Sequence, residues 1–266
     1  MNILLTNDDG IGCEGLRRFA EELRRRTGHR ICVLAPDSDR SGVSHSISIK
    51  KPILIKARGP DMWECTGTPA DCVMAASMGA LPVKPEILIS GINAGPNLGT
   101  DIVYSGTAAA ARQGALHHIP SIAFSLAGLT PPLYWDGAVS FAVSRLDALI
   151  DLWEEDTFIN VNIPNTPGVP EGMAVTFPAR RRYQDTLVSF DAPDGYTYCF
   201  INSGLIESED EPGSDWEAVS RNLASVSPVY LYPVVPEDRR ATAAAAAASS
   251  PKAAAACPEK SGVPMG

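Results

Sequence analysis

The residues best equipped for chemistry stand almost at the start of the chain. Asn7-Asp8-Asp9-Gly10 follows directly on the apolar run Ile3-Leu4-Leu5. Two adjacent carboxylates at the end of such a run suit a hard divalent cation, which prefers oxygen ligands. They also suit an ordinary helix start, where Asp and Asn cap free N–H groups and meet the positive end of the dipole. Three later segments are of the same kind. Pro36-Asp37-Ser38-Asp39-Arg40-Ser41-Gly42 carries hydroxyls, two acids and an arginine, with His45 just beyond. Turn chemistry accounts for much of this segment, and His45 reads more readily as a structural or surface residue than as a catalyst. Gly91-Ile92-Asn93-Ala94-Gly95-Pro96-Asn97 combines residues that resist regular structure and expose backbone amides. Ser105-Gly106-Thr107 opens an alanine-rich helix, where free amides, hydroxyls and the dipole suit an anion; taken alone, simple capping is the better explanation. The chain has neither a Walker lysine motif nor the Gly-x-Gly-x-x-Gly dinucleotide fingerprint.

These segments gain weight from the elements that precede them. Ile3–Leu5 and Ile31–Ala35 read as strands buried on both faces. Between them, Leu16, Phe19, Ala20 and Leu23 recur at helical spacing, which predicts a helix over about 14–27 and a βαβ unit. Further strands are predicted over 52–57, 86–90, 121–125 and 158–163. Helices are predicted from Pro69 to about Met78, over 108–116 and over 135–153. Thr68, Pro69 and Asp71 form a ready N-terminal cap for the first of these. Strands alternating with helices describe an α/β fold: a Rossmann-like, doubly wound, mostly parallel sheet, with the polar segments at strand exits.

After Pro164 the texture changes. Thr176-Phe177, 186–190 and 196–201 read as antiparallel hairpin material in a β-rich extension. Arg180-Arg181-Arg182-Tyr183 suits an anionic substrate, an ion-pair network or a subunit contact. The acidic stretch 207–217 reads as a solvated loop, 216–222 as a short helical stretch and 224–232 as a final strand. Residues 241–256 contain eleven alanines, interrupted by Pro251. The organisation expected is a catalytic core over 1–164, an extension over 165–236 that packs on the core or on a partner subunit, and a low-complexity, disordered tail over 237–266.

The net charge of −9 argues against electrostatic binding to duplex DNA or RNA. A small phosphorylated substrate stays compatible with it, because a bound cation reverses the local field. The six cysteines form no Cys-x-x-Cys pair and read as reduced core residues. No apolar run is long enough to span a membrane, and the N-terminus lacks the pattern of a signal peptide. A cytoplasmic protein is the expectation.

Taken together, Thr6-Asn-Asp-Asp-Gly10, Ala35-Pro-Asp37 with Arg40-Ser41-Gly42, Gly67-Thr-Pro-Ala-Asp71, Ser90-Gly-Ile-Asn93 with Gly95-Pro-Asn97, and Tyr104-Ser-Gly-Thr107 resemble the survival-protein SurE family of nucleotidases. The resemblance covers residues 1 to about 235. It implies a metal-dependent phosphoric monoester hydrolase acting on nucleoside 5′-monophosphates, and in some members on 3′-monophosphates and short polyphosphate. It implies one divalent cation, Mg²⁺ or Mn²⁺, held by Asp8, Asp9, Ser41 and Asn93. Asp8 and Asp9 would also be the catalytic residues, and Asn97, Ser105, Gly106 and Thr107 would lie at the substrate phosphate. The extension would build a homodimer or homotetramer. Two departures are Cys13-Glu14-Gly15, where the family usually has a small-Pro-Gly, and Ala94, where it often has Arg or His. Exopolyphosphatase as the main role, or a non-catalytic nucleotide or metal sensor, are the competing expectations.

Overall fold

The computed structural model describes residues 1–232 other than 203, 205 and 210. The tail expected from about residue 237, and Cys257 within it, lie outside the described residues. Met1–Leu231 forms one compact unit. Its elements, in order, are β1 (Asn2–Thr6), α1 (Glu14–Arg26), β2 (Arg30–Pro36), β3 (Ile55–Gly59), β4 (Met62–Cys65), α2 (Pro69–Ser77) and β5 (Ile87–Ala94). A 3₁₀ turn (Gly99–Val103), α3 (Gly106–Leu116), β6 (Ser121–Ala127), α4 (Trp135–Asp151) and β7 (Thr157–Pro164) follow. The remaining elements are β8 (Met173–Val175), β9 (Arg181–Tyr183), β10 (Thr186–Asp191), β11 (Thr197–Asn202), β12 (Ile206–Ser208), α5 (Asp215–Ser220) and β13 (Ala224–Tyr230).

A nine-stranded sheet in the order β3-β4-β2-β1-β5-β6-β7-β13-β8 runs through the unit. From β4 to β7 every neighbouring pair is parallel. β3 and β13 run antiparallel to their neighbours β4 and β7. The two faces of the sheet follow the two-residue period of the strands. Ile3, Leu5, Ile31, Val33, Ile87 and Ile89 pack in one core with α1 and α4. Leu4, Cys32, Leu34 and Leu88 face the other way, into a core with α2 and α3. Each central strand is therefore apolar on both sides. The alanines of α3 let it lie close to the sheet, and at Gly114 a Cβ would fall 2.3 Å from Leu88 and 2.4 Å from Ser121.

Several expectations are corrected here. The single strand expected over 52–57 is an antiparallel pair, β3 and β4, and β4 is hidden in the sequence because it is only four residues long. β5 does not stop at Ser90. It continues to Ala94 with a shift in register against β6 between Ser90 and Asn93. Pairing of Asn93 with Ser125 and of Ala94 with Leu126 outweighs the poor strand propensity of Gly91. Gly91 itself has φ +128°, and a Cβ there would lie 2.3 Å from the Phe124 carbonyl oxygen, so no other residue fits. Thr176-Phe177 follows β8 and is not part of the hairpin, which consists of β10 and β11 alone. The acidic stretch 207–217 is only partly a loop: β12 ends and α5 begins within it, and Asp215 is fully buried. Its carboxylate accepts from the amides of Gly99 (2.7 Å) and Ala179 (2.9 Å), which ties the extension to the core. Cysteines 32, 65 and 72 are core residues as expected, but Cys199 is exposed on β11 and Cys13 caps α1.

Candidate active site

The chain leaves β1 toward β2 on one side and later returns to place β5 on the other. The crevice beyond the carboxyl ends of β1 and β5 is thus a topological switch point, the usual ligand position in an open α/β sheet. The exit of β1 delivers Asp8 and Asp9 there, and the exit of β5 delivers Asn93 and Asn97. The β1 turn is closed locally. Asn7 donates from Nδ2 to the Gly10 carbonyl and to Cys13 Sγ, both at 2.9 Å. Gly10 has φ +96°, and a Cβ there would sit 3.0 Å from the Ser38 backbone. Cys13 Sγ in turn accepts from the Leu16 amide at 3.4 Å. Burial pushes its thiol up to about 11, so Cys13 serves as a neutral cap and not as a nucleophile. The Arg40 amide donates to the Asp8 carbonyl at 2.7 Å, which locks the loop after β2 onto the loop after β1.

Asp8 is buried at the start of α3. Thr107 donates to it twice, from its amide to Oδ2 (3.0 Å) and from its hydroxyl to Oδ1 (2.5 Å). Gly106 leaves room for this contact: a Cβ there would lie 2.8 Å from Asp8 Cβ and 2.9 Å from its Oδ2. Asp9 is half-buried and accepts from the Ala94 amide at 3.2 Å. The Ala94 position, which lacks a side-chain function, thus acts through its backbone. Burial raises the Asp8 carboxyl above its ordinary range, partly offset by Thr107. Burial and the neighbouring Asp8 charge raise Asp9 to about 6. Asp39 adds to the negative potential on both.

A cavity of about 340 Å³ opens beside these groups, and Asp8, Ser41, Asn93, Asn97 and Ser105 all line it. Ser41 is exposed and donates to Asp39 Oδ1 at 2.6 Å, which leaves its oxygen lone pairs free. Asn93 donates from Nδ2 to the Gly95 carbonyl at 2.9 Å, so its amide oxygen is the free end. Asn97 is held rigidly: its amide nitrogen donates to Ser125 Oγ (2.8 Å), and its backbone is gripped by Asn160 and Asn162. Ser105 caps α3 by accepting from the Ala108 amide. One expectation changes in kind. The donors of Thr107 are engaged by Asp8, so the anion seated at the N-terminus of α3 is a carboxylate of the protein itself. His45 is bound to Gln113 (2.8 Å) and does not line the cavity.

The donor chemistry fits a hard cation. Two adjacent carboxylates, of which Asp8 raises the pKa of Asp9, are joined by a hydroxyl and an amide oxygen, all oxygen ligands. Among the described residues no cluster of three or more His, Cys, Asp or Glu side chains is arranged to hold a metal, so a cation here would draw on Ser41 and Asn93. Sequence reasoning met Asp39, Tyr104 and Tyr183 only as members of polar or basic segments; the structure shows Asp39 orienting Ser41, and Tyr104, Leu129 and Tyr183 lining the same cavity. The basic cluster proves to be an ion-pair network. Buried Arg181 pairs with Asp101, the Tyr183 hydroxyl also donates to Asp101, and Arg182 pairs with Glu209. A larger cavity of about 520 Å³ lies at the start of α4, but its charged groups, Glu14, Arg18 and Asp136, pair with one another.

With this geometry in view, similarity to known proteins is extensive. The family model described as survival protein SurE matches residues 3–185. The 5′-nucleotidase SurE of Halorhodospira halophila is 38% identical over 231 residues, 86% of this chain and 91% of that protein. The 5′-nucleotidase SurE of Gemmatimonas aurantiaca is 39% identical over 239 residues, 87% and 93% of the two chains. The crystal structure of the SurE protein from Aquifex aeolicus matches with a TM-score of 0.77 at 34% identity, covering 91% of this chain and 98% of that one.

Proposed function

The chain belongs to the SurE family, and on that premise we propose that it is a metal-dependent 5′-nucleotidase that releases phosphate from nucleoside monophosphates. The observation that carries this reading is the paired Asp8 and Asp9 at the switch point, with Ser41 and Asn93 at the same cavity. Asp8, Asp9, Ser41 and Asn93 would hold one divalent cation, Mg²⁺ or Mn²⁺. When bound, the cation supplies Lewis acidity toward the phosphoryl oxygens and lowers the pKa of a bound water.

The chain's own groups divide the remaining work. Asp8 is fixed by Thr107 and orients the site. Asp9 has a single protein hydrogen bond among the described residues, through Oδ2, which leaves its Oδ1 uncommitted, and this carboxylate would take a proton from the attacking water. Asn97 and Ser105, rigid at the cavity wall, are the contacts offered to the substrate. The described cysteines are all free thiols, which supports a cytoplasmic setting. No helix among the described residues is long and apolar enough to cross a membrane. The hairpin β10–β11 exposes Leu187, Phe190, Phe200 and Ile201, which supports assembly into a homodimer or homotetramer.

Phosphate release from AMP, GMP, a 3′-monophosphate and polyphosphate, with and without Mg²⁺ or Mn²⁺, tests the proposal. The expected result is cation-dependent release, fastest from 5′-monophosphates and lost in Asp9→Asn and Asn93→Ala. Undiminished activity in both variants would sink the metal assignment. Faster turnover of polyphosphate than of any nucleotide would replace the substrate.

A further inference from the structure

We infer that Tyr104 is the stacking platform for the substrate's nucleobase and that Tyr183 positions it. The inference rests on the nucleotidase reading and extends it from the phosphate to the other end of the substrate. The cavity that Asp8, Ser41 and Asn93 line is lined also by Tyr104, Tyr183 and Leu129. A site that held only phosphate would have no use for this apolar wall, whereas ligand pockets generally pair a few polar groups with aromatic and aliphatic surface.

Tyr104 lies between the 3₁₀ turn and the start of α3. Its backbone is fixed on both sides: its amide donates to the Asp101 carbonyl (2.9 Å), and its carbonyl accepts from the Ser44 amide (3.0 Å). The residue is nevertheless 56% exposed. The ring meets that of Tyr183 edge-to-face, with centroids 6.1 Å apart and planes at 89°. This arrangement covers at most one face of either ring, so a face of Tyr104 stays open to a planar ligand. Tyr183 is itself held, because its hydroxyl donates to Asp101 and Asp101 is paired with buried Arg181. Arg181 in turn lies over the Trp216 ring at 5.6 Å. A chain of fixed contacts thus runs from the extension to an aromatic ring that lines the substrate cavity. Stacking reads a π-face and not a hydrogen-bonding pattern, so this wall favours nucleotides over other phosphate esters while tolerating different bases.

The test compares AMP with ribose 5-phosphate, which keeps the sugar and phosphate but lacks the base, in the wild type, Tyr104→Ala and Tyr104→Phe. For Tyr104→Ala the ratio of kcat/KM on AMP to kcat/KM on ribose 5-phosphate should fall roughly 5- to 150-fold, the range that base–aromatic stacking supplies, mainly through KM for AMP. Tyr104→Phe should keep the ratio within about threefold, since phenylalanine preserves the π-face. An unchanged ratio in Tyr104→Ala, or an equal loss on both esters, would overturn the inference. Adenosine binding measured by calorimetry adds an arm independent of turnover. It should weaken by a similar factor in Tyr104→Ala only, and equal binding to all three proteins would also overturn the assignment. Failure of the nucleotidase reading would show differently, as a wild-type protein that releases phosphate from neither ester.

Discussion

Replacing Asp9 by asparagine should stabilise the cation-free protein while abolishing its activity. Asp9 lies beside the buried Asp8 carboxylate and, among the described residues, accepts from the Ala94 amide alone, so its ionised form is poorly supported by the fold. Its carboxyl rises from an ordinary 3.8 to about 6. Below pH ~4 the group is protonated in both folded and unfolded chains and contributes nothing. Between ~4 and ~6 the folded chain keeps a proton that the unfolded chain releases, and stability falls as pH rises. Above ~6 both states are ionised and the full destabilisation of about 3 kcal/mol stands. Asparagine can still accept from the Ala94 amide and carries no charge. At pH 7.5 in EDTA, Asp9→Asn should therefore unfold roughly 6–12 °C higher than the wild type, using the usual conversion for a domain of this size. At pH 4 the two should coincide. A saturating divalent cation should raise the wild type by about 2.7 kcal/mol at a hundred times Kd and the variant by much less. Thermal unfolding at the two pH values, with EDTA and with Mn²⁺, provides the measurement. A stability difference that is the same at pH 4 and pH 7.5, or a destabilised variant at pH 7.5, would refute the electrostatic argument.

Three further predictions concern the groups around that pair. Thr107→Val removes the hydroxyl donor to Asp8 but keeps the amide, and the loss of a charge-assisted bond worth about 1.5–3 kcal/mol should lower kcat/KM on AMP roughly 10- to 100-fold. Thr107→Ser should restore most of it, and a fully active valine variant would remove Thr107 from the site. Gly106→Ala would favour the helix by about 1 kcal/mol on propensity alone. Its Cβ would lie 2.8 Å from Asp8 Cβ, so a net loss of about 1–3 kcal/mol is expected in denaturant unfolding, and a stabilised variant would show that Asp8 can move aside. Finally, Phe190→Glu with Ile201→Glu on the exposed hairpin should lower the mass measured by light scattering toward that of a single chain; an unchanged mass would place the subunit contact elsewhere.

The sequence by itself determined the architecture of the core and the chemistry on offer. Continuous apolar runs such as Ile3–Leu5 and Ile31–Ala35 can be satisfied only by burial on both faces, and the stripe Leu16–Phe19–Ala20–Leu23 only by a helix packed on one side. These are local, periodic properties, legible without coordinates. So were the Thr68–Asp71 capping box and the presence of oxygen-rich residues at strand exits. Motif order across the chain also supported the family, because each segment is weak singly and specific in combination.

Which of those polar residues face one another was a tertiary matter. Thr107 and Asp8 are 99 residues apart, and their hydrogen bonds exist because α3 follows β5 and β5 lies next to β1. No propensity at 105–107 distinguishes a helix start that binds substrate phosphate from one already holding a carboxylate. β5 ran past Gly91 because its pairing with β6, a strand some thirty residues later, decided the matter. The aromatic wall was hidden for the same reason: Tyr104 and Tyr183 meet only once the extension docks through Asp215 and Arg181. Periodicity records what each segment must bury, whereas the pairing of distant strands decides which side chains share a cavity.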